Sequence, residues 1–181
     1  MLKSFHNIHP VFQILIAVIF IAFFAQIEIV LPIIKDGIPI TGQTFAVLLV
    51  GYFLGVKKGM AAVVIYLVSG AVGAPVFAGG AGGIATFSDN SAGFLYGFLF
   101  GAAATGYFGE KRWGESFGKC FAGMVIGTLI ISFFGVLFLA SRYGMPTALQ
   151  EGFYPYIWGA LIKTVLGATI PPLYHNLIKE Q

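Results

Sequence analysis

Residues 11–34 run VFQILIAVIFIAFFAQIEIVLPII, with Glu28 as their one charge. Comparable apolar runs recur at 59–77, 93–109 and 117–141. A helix needs about 20 consecutive apolar residues to cross the hydrocarbon core of a bilayer. The 181-residue chain is 58% hydrophobic and 9% charged, whereas soluble domains carry about 25% charged residues. A soluble domain of this size could not bury so much apolar surface, so lipid must be the solvent. The runs are continuous rather than alternating, which argues against a barrel of strands. The fold class that follows is an all-α integral membrane protein.

The pattern predicts six transmembrane helices over about 11–34, 43–56, 59–77, 93–109, 117–141 and 156–178, in a single membrane domain covering 1–181. The second run is short for a square crossing and has to be tilted, bent or partial. The first is too long for the apolar region of a signal peptide, so it reads as a retained helix. Cys120 is the sole cysteine, which leaves no internal disulfide. With six crossings both termini share a side. Lys3, Lys57, Lys58, Lys111, Arg112, Lys119 and Lys179 fall there, against Lys35 and Arg142 opposite. Basic residues favour the cytoplasmic face, so both termini are expected to be cytoplasmic.

One lysine fits neither side. Lys163 lies within the last run, YIWGALIKTVLGATIPPLY, about seven residues or roughly 10 Å from its outer end. An ammonium at that depth is costly and rare without a role. It either snorkels to the interface on its long stem or provides a counter-charge for an anionic ligand, a carboxylate above all. Other polar residues collect at the same outer level: Gln26, Glu28, Gln43, Thr44, and the loop tip Ser88, Asp89, Asn90 and Ser91. Gln43 and Thr44 could cap the second helix or read the edges of an amide-like or ureido-like ligand. Glu28 could equally be an interfacial residue. Tyr154, Tyr156 and Trp158 fit an interfacial aromatic belt and could also wall a pocket.

Other chemistry finds little support. The glycines at 93, 97 and 101 form a small-residue row that lets helices approach closely. GGAGG at 79–83 is not a phosphate loop, and no G-x-x-x-x-G-K-[ST] pattern occurs, so the chain has no ATPase of its own. His6, His9 and His175 have no metal-ligand spacing, and no nucleophile, base and orienting group come together. No cofactor, metal or nucleic-acid partner is expected.

The stretch GIPITGQTFAVLLVGYFLGVKKGMAAVVIYLVSGAVGAPVFAGGAGG (37–83) resembles the BioY family, the biotin-binding S components of energy-coupling-factor (ECF) transporters. Pro39, Ile40, Thr41, Gln43, Thr44, Gly55, Tyr66, Leu67, Gly70, Gly73, Pro75, Val76, Phe77, Ala78, Gly79 and Gly80 match the family pattern. The resemblance implies an S-component-like bundle in the bacterial cytoplasmic membrane, multi-pass and not an enzyme. Such a bundle binds biotin or a biotin-like carboxylate from outside. It delivers the ligand with an ECF transmembrane coupling protein and two ATPase subunits.

On that resemblance Lys163 would hold the carboxylate tail. Gln43, Thr44, Asp89 and Asn90 would hold the polar ring, Phe77, Gly79 and Gly80 would shape the covering loop, and Tyr154 with Trp158 would wall the cavity. Two departures stand out. SDNSAGFLYGF (88–98) keeps only part of the family's stretch there, and Ala160 stands where the family has an aspartate expected to help hold the ureido ring. Asp89 is the candidate replacement for that aspartate. The alternatives left open are an S component for a different vitamin, a stand-alone small-solute carrier, and a membrane enzyme or structural subunit.

Overall fold

The computed structural model describes residues 9–29 and 40–179. They are all-α apart from one two-residue ladder. The helices are α1 (Pro10–Ala25), α2 (Gln43–Ala71), α3 (Ala92–Glu110), α4 (Phe117–Tyr143), a short α5 (Met145–Gly152) and α6 (Ile157–Lys179). Strands β1 (Glu28–Ile29) and β2 (Ile40–Thr41) pair antiparallel, with Glu28 opposite Thr41.

Each helix turns a narrow stripe inward and leaves large apolar side chains outside. In α1 the buried stripe is Gln13, Ala17, Ile21 and Ala25, a repeat of four, while Phe12, Ile16, Ile19 and Phe23 are exposed. In α6, Thr164, Ala168 and Pro171 are buried while Trp158, Leu161, Ile162 and Leu166 are exposed. A water-soluble protein does not show apolar faces this wide; these faces meet lipid. Among the described residues, α4 is a single helix long and apolar enough to cross a membrane, and α2 reaches that length only with its two arms, 43–54 and 56–71, taken together.

α2 is not straight. Gly55 has φ 75° and ψ 178°, a conformation open essentially to glycine alone. The chain reverses there. In a straight helix Gln43 and Tyr66 would stand about 35 Å apart at 1.5 Å per residue, yet Gln43 Nε2 donates to the Tyr66 hydroxyl. A Cβ built at Gly59 would lie 2.9 Å from Gly51 Cα, so the arms 43–54 and 56–71 are in contact. Glu110 Oε1, from the end of α3, accepts from Val56 N–H at 2.9 Å and caps the second arm where it restarts.

The glycine row of α3 seats it on α4: a Cβ at Gly97 would lie 2.9 Å from Ile131 Cα. Three boundaries differ from the sequence reading. The first run is helical only to Ala25, because residues 28–29 leave it for the ladder with 40–41. The third run stops at Ala71, before Gly73 at φ 103°, a conformation a helix cannot continue through. The stretch before 156 contains α5 rather than only a loop. Lys3, Lys35, Pro39 and the end of the first run (30–34) lie outside the described residues.

Candidate functional site

A cavity of about 190 Å³ opens at the end of the bundle where α1 ends and α6 begins. Ile40, Thr41, Gln43 and Thr44, at the ladder and the start of α2, form one wall. The loop between α2 and α3 forms a second with Phe77, Ala78, Ala81, Thr86, Asp89 and Ser91. Phe94, Leu95 and Phe98 of α3 lie beside Thr128, Ile131 and Ser132 of α4. Tyr156, Ala160 and Lys163 close the remaining side. An apolar shell with a few convergent polar groups is the usual make-up of a small-molecule site.

Lys163 faces inward because of its helical phase. Ala160, Lys163, Thr164 and Gly167 follow the i, i+3, i+4, i+7 spacing that defines one helix face, and the lipid-facing residues occupy the others. The Lys163 ammonium lies in the wall of the cavity. Its Nζ donates to the Thr41 carbonyl at 3.0 Å. Among the described residues the only ion pair joins Arg112 to Glu115 at 3.6 Å, remote in sequence from this wall. Lys163 therefore brings a positive charge to the cavity with a neutral carbonyl as partner, and an ammonium has three donors to use.

A relay of hydrogen bonds holds the opposite wall. Thr41 Oγ1 donates to Gln43 Oε1 at 3.2 Å and accepts from Gln43 N–H at 3.3 Å. Gln43 Nε2 donates to Tyr66 Oη, which donates to the Val76 carbonyl at 3.0 Å. Gln43 is buried with its oxygen and one N–H engaged. It braces the first α2 arm against the second and against the loop, with one N–H left over. Beside Lys163, the Thr128 and Thr164 hydroxyls share a hydrogen bond at 3.2 Å.

Phe77 anchors the loop. Its ring is 2% exposed, packs edge-on to Tyr66 at 5.4 Å and Phe87 at 5.8 Å, and covers Gly70, where a Cβ would collide with the ring. Tyr96 continues the row, 5.9 Å from Phe87 between ring centres, and its hydroxyl donates to the Phe87 carbonyl at 2.9 Å. Gln26, just past α1, holds the turn at 77–80 from outside: its Nε2 donates to the Phe77 carbonyl and its Oε1 accepts from Gly80 N–H, both at 3.1 Å.

Of the residues expected at the site, Lys163, Gln43, Thr44, Phe77 and Asp89 line this cavity. Gly79 and Gly80 sit in the exposed turn behind Phe77 and outside the lining. Asn90 lies outside it too, accepting from the Tyr143 hydroxyl at 2.9 Å. Tyr154 is 56% exposed and Trp158 73% exposed; Tyr156, two residues on from Tyr154, is the tyrosine in the wall. Sequence reasoning placed Ser91 among the outer polar residues without assigning it to the site, and passed over Thr86, Thr128 and Ser132. The i, i+4 pair Thr128 and Ser132, hydroxyls on one face of an apolar helix, was a usable signal; Thr86 offered none. Ala160 lines the wall one turn before Lys163 and brings a methyl group there. Among the described residues no group of three or more His, Cys, Asp or Glu side chains could hold a metal ion.

Known proteins resemble this arrangement over nearly the whole chain. The model of the BioY family matches residues 1–180. Over 163 residues the chain is 37% identical to the biotin transporter BioY of Rhizobium etli, covering 82% of this chain and 87% of that protein. Over 134 residues it is 40% identical to the biotin transporter BioY of Thermotoga maritima, covering 74% and 78%. The fold superposes on the crystal structure of an S-component for biotin from an ECF-type ABC transporter. That match has a TM-score of 0.80 and 26% identity, and covers 95% of this chain and 91% of the other.

Proposed function

This chain belongs to the BioY family, and we propose that it is the biotin-binding S component of an ECF transporter, a membrane protein of uptake and not an enzyme. The observation that carries the reading is the Lys163 ammonium, which lines the cavity and is met there by a neutral carbonyl. A ligand carboxylate is the group that would complete it, through charge-assisted hydrogen bonds roughly twice as strong as neutral ones. The apolar rings of Phe77, Phe94 and Phe98 suit an aliphatic tail and a fused ring. The hydroxyls of Thr44, Thr86, Ser91, Thr128 and Ser132, with the Asp89 carboxylate, provide acceptors and donors for a ureido group.

Six crossings follow when α1, the two arms of α2, α3, α4 and α6 each count as one. The 43–54 arm is about 18 Å long and the 56–71 arm about 24 Å, so both fall short of the roughly 30 Å core and lean on their flanking loops. Basic residues cluster at the Lys57–Lys58 and Lys111–Arg112 turns, which puts that end in the cytoplasm and the cavity outside. Energy then comes from partners. With no phosphate loop in the chain, a transmembrane coupling protein and two ATPase subunits would drive release of biotin inward.

The test is uptake of radiolabelled biotin by bacterial cells lacking a biotin carrier. Accumulation that requires both this chain and a co-expressed coupling protein with its ATPases supports the reading. Full uptake from the chain alone points to a stand-alone carrier, and no uptake with the complete set rejects biotin as cargo.

A further inference from the structure

We infer that Gln26 is a positioning residue that latches the 77–81 segment against the cavity and so sets the rates at which ligand enters and leaves. This rests on the cavity being the ligand site. One side-chain amide holds both ends of one turn: Nε2 donates to the Phe77 carbonyl and Oε1 accepts from Gly80 N–H, each at 3.1 Å. A further bond from Nε2 to the Ala22 carbonyl at 3.2 Å ties the same amide to the last turn of α1. Phe77, Ala78 and Ala81 are cavity wall, so α1 grips the wall directly.

The base of the loop is held by other bonds. Gly83 N–H donates to the Gly70 carbonyl at 2.7 Å and Ala74 N–H to the Ser69 carbonyl at 3.0 Å. Releasing Gln26 therefore unties the 78–81 turn from α1, while the buried Phe77 ring, the turn's own bond from Gly80 N–H to the Phe77 carbonyl at 3.1 Å and the rest of the loop stay in place. One and two residues beyond Gln26, the α1 tail also touches the opposite wall: the Ile27 carbonyl accepts from Gly42 N–H at 2.9 Å, and Glu28 pairs with Thr41, whose carbonyl accepts from Lys163. Residues 26–28 thus join the covering segment to the residue that reads the carboxylate. The latch bonds are exposed or part-buried, so each is weak enough to break and reform during binding.

A latch and a plain structural brace make different predictions. A latch is a barrier crossed in both directions, so removing it speeds association and dissociation together. A brace lost from the bound form speeds dissociation alone. Gln26→Met keeps the shape and removes both bonds. Gln26→Glu keeps the acceptor and sets an oxygen against the Phe77 carbonyl. Stopped-flow binding of biotin should show both rate constants rising roughly five- to tenfold in either variant, with Kd changing less than about threefold. Unchanged rates, or a faster dissociation alone, would overturn the latch.

A second measurement needs no ligand. With Cys120 replaced by alanine, the labelling rate of Ala78→Cys by a polar maleimide reports opening of the segment. Labelling should quicken by a similar factor when Gln26→Met is added. An equal rate would reject the latch even if biotin binds as proposed, and failure of biotin to bind would reject the proposed cargo while labelling still decides the latch.

Discussion

Replacing Lys163 by methionine removes the charge and keeps most of the stem. The wild-type ammonium donates to the Thr41 carbonyl at 3.0 Å, so it is already aimed before ligand arrives and its remaining N–H groups are free for a carboxylate. A hydrogen bond to a charged group contributes about 1.5–3 kcal/mol, which is roughly ten- to 150-fold in affinity. The variant also leaves the Thr41 carbonyl unpaired, so part of any loss could come from a loosened wall. Biotin methyl ester separates the two effects, because it keeps the ring and tail and lacks the anion. Calorimetric titration at neutral pH should show Lys163→Met weakening biotin by that factor and the ester by less than about threefold. Equal loss for both ligands would mean that Lys163 supports the wall and reads no charge. No loss for either would refute its role altogether.

Asp89→Ala should weaken biotin and its methyl ester by the same factor, roughly three- to tenfold, since both carry the ureido ring; the same titrations check it, and a loss confined to biotin would refute the assignment. Tyr66→Phe removes the hydroxyl that joins Gln43 to the Val76 carbonyl, and should cost about 1–3 kcal/mol of stability by leaving buried groups unsatisfied, read as a fall in the midpoint of thermal unfolding in detergent. Gly55→Ala forces a side chain into φ 75° with Glu110 Oε1 2.6 Å from the new Cβ, and should destabilise by about 1–3 kcal/mol or more, seen as a large drop in folded yield by size-exclusion chromatography.

The helices were legible because lipid imposes long apolar runs on any chain that crosses it. Their ends were less so. Nothing local told residues 26–29 to leave α1, because the ladder of Glu28 with Thr41 depends on a partner thirteen positions away in the chain. The reversal in α2 was placed beside Lys57 and Lys58, the visible punctuation, whereas the backbone turns at Gly55. In the site, Lys163 stood out because a charge in an apolar run has no cheap explanation. Hydroxyls such as Thr128 and Ser132 are easily satisfied inside a helix and drew no notice. Of the two loop residues expected at the ring, Asp89 lines the cavity while Asn90 turns to Tyr143, and of the aromatic residues offered as walls Tyr156 takes the place and Tyr154 stays exposed.

The most direct test is a calorimetric titration of biotin into the purified wild-type protein in lipid nanodiscs. Saturable one-to-one binding, competed poorly by biotin methyl ester, is the predicted result. Absence of binding, or binding of the ester as tight as that of biotin, would contradict a carboxylate-reading biotin site at Lys163.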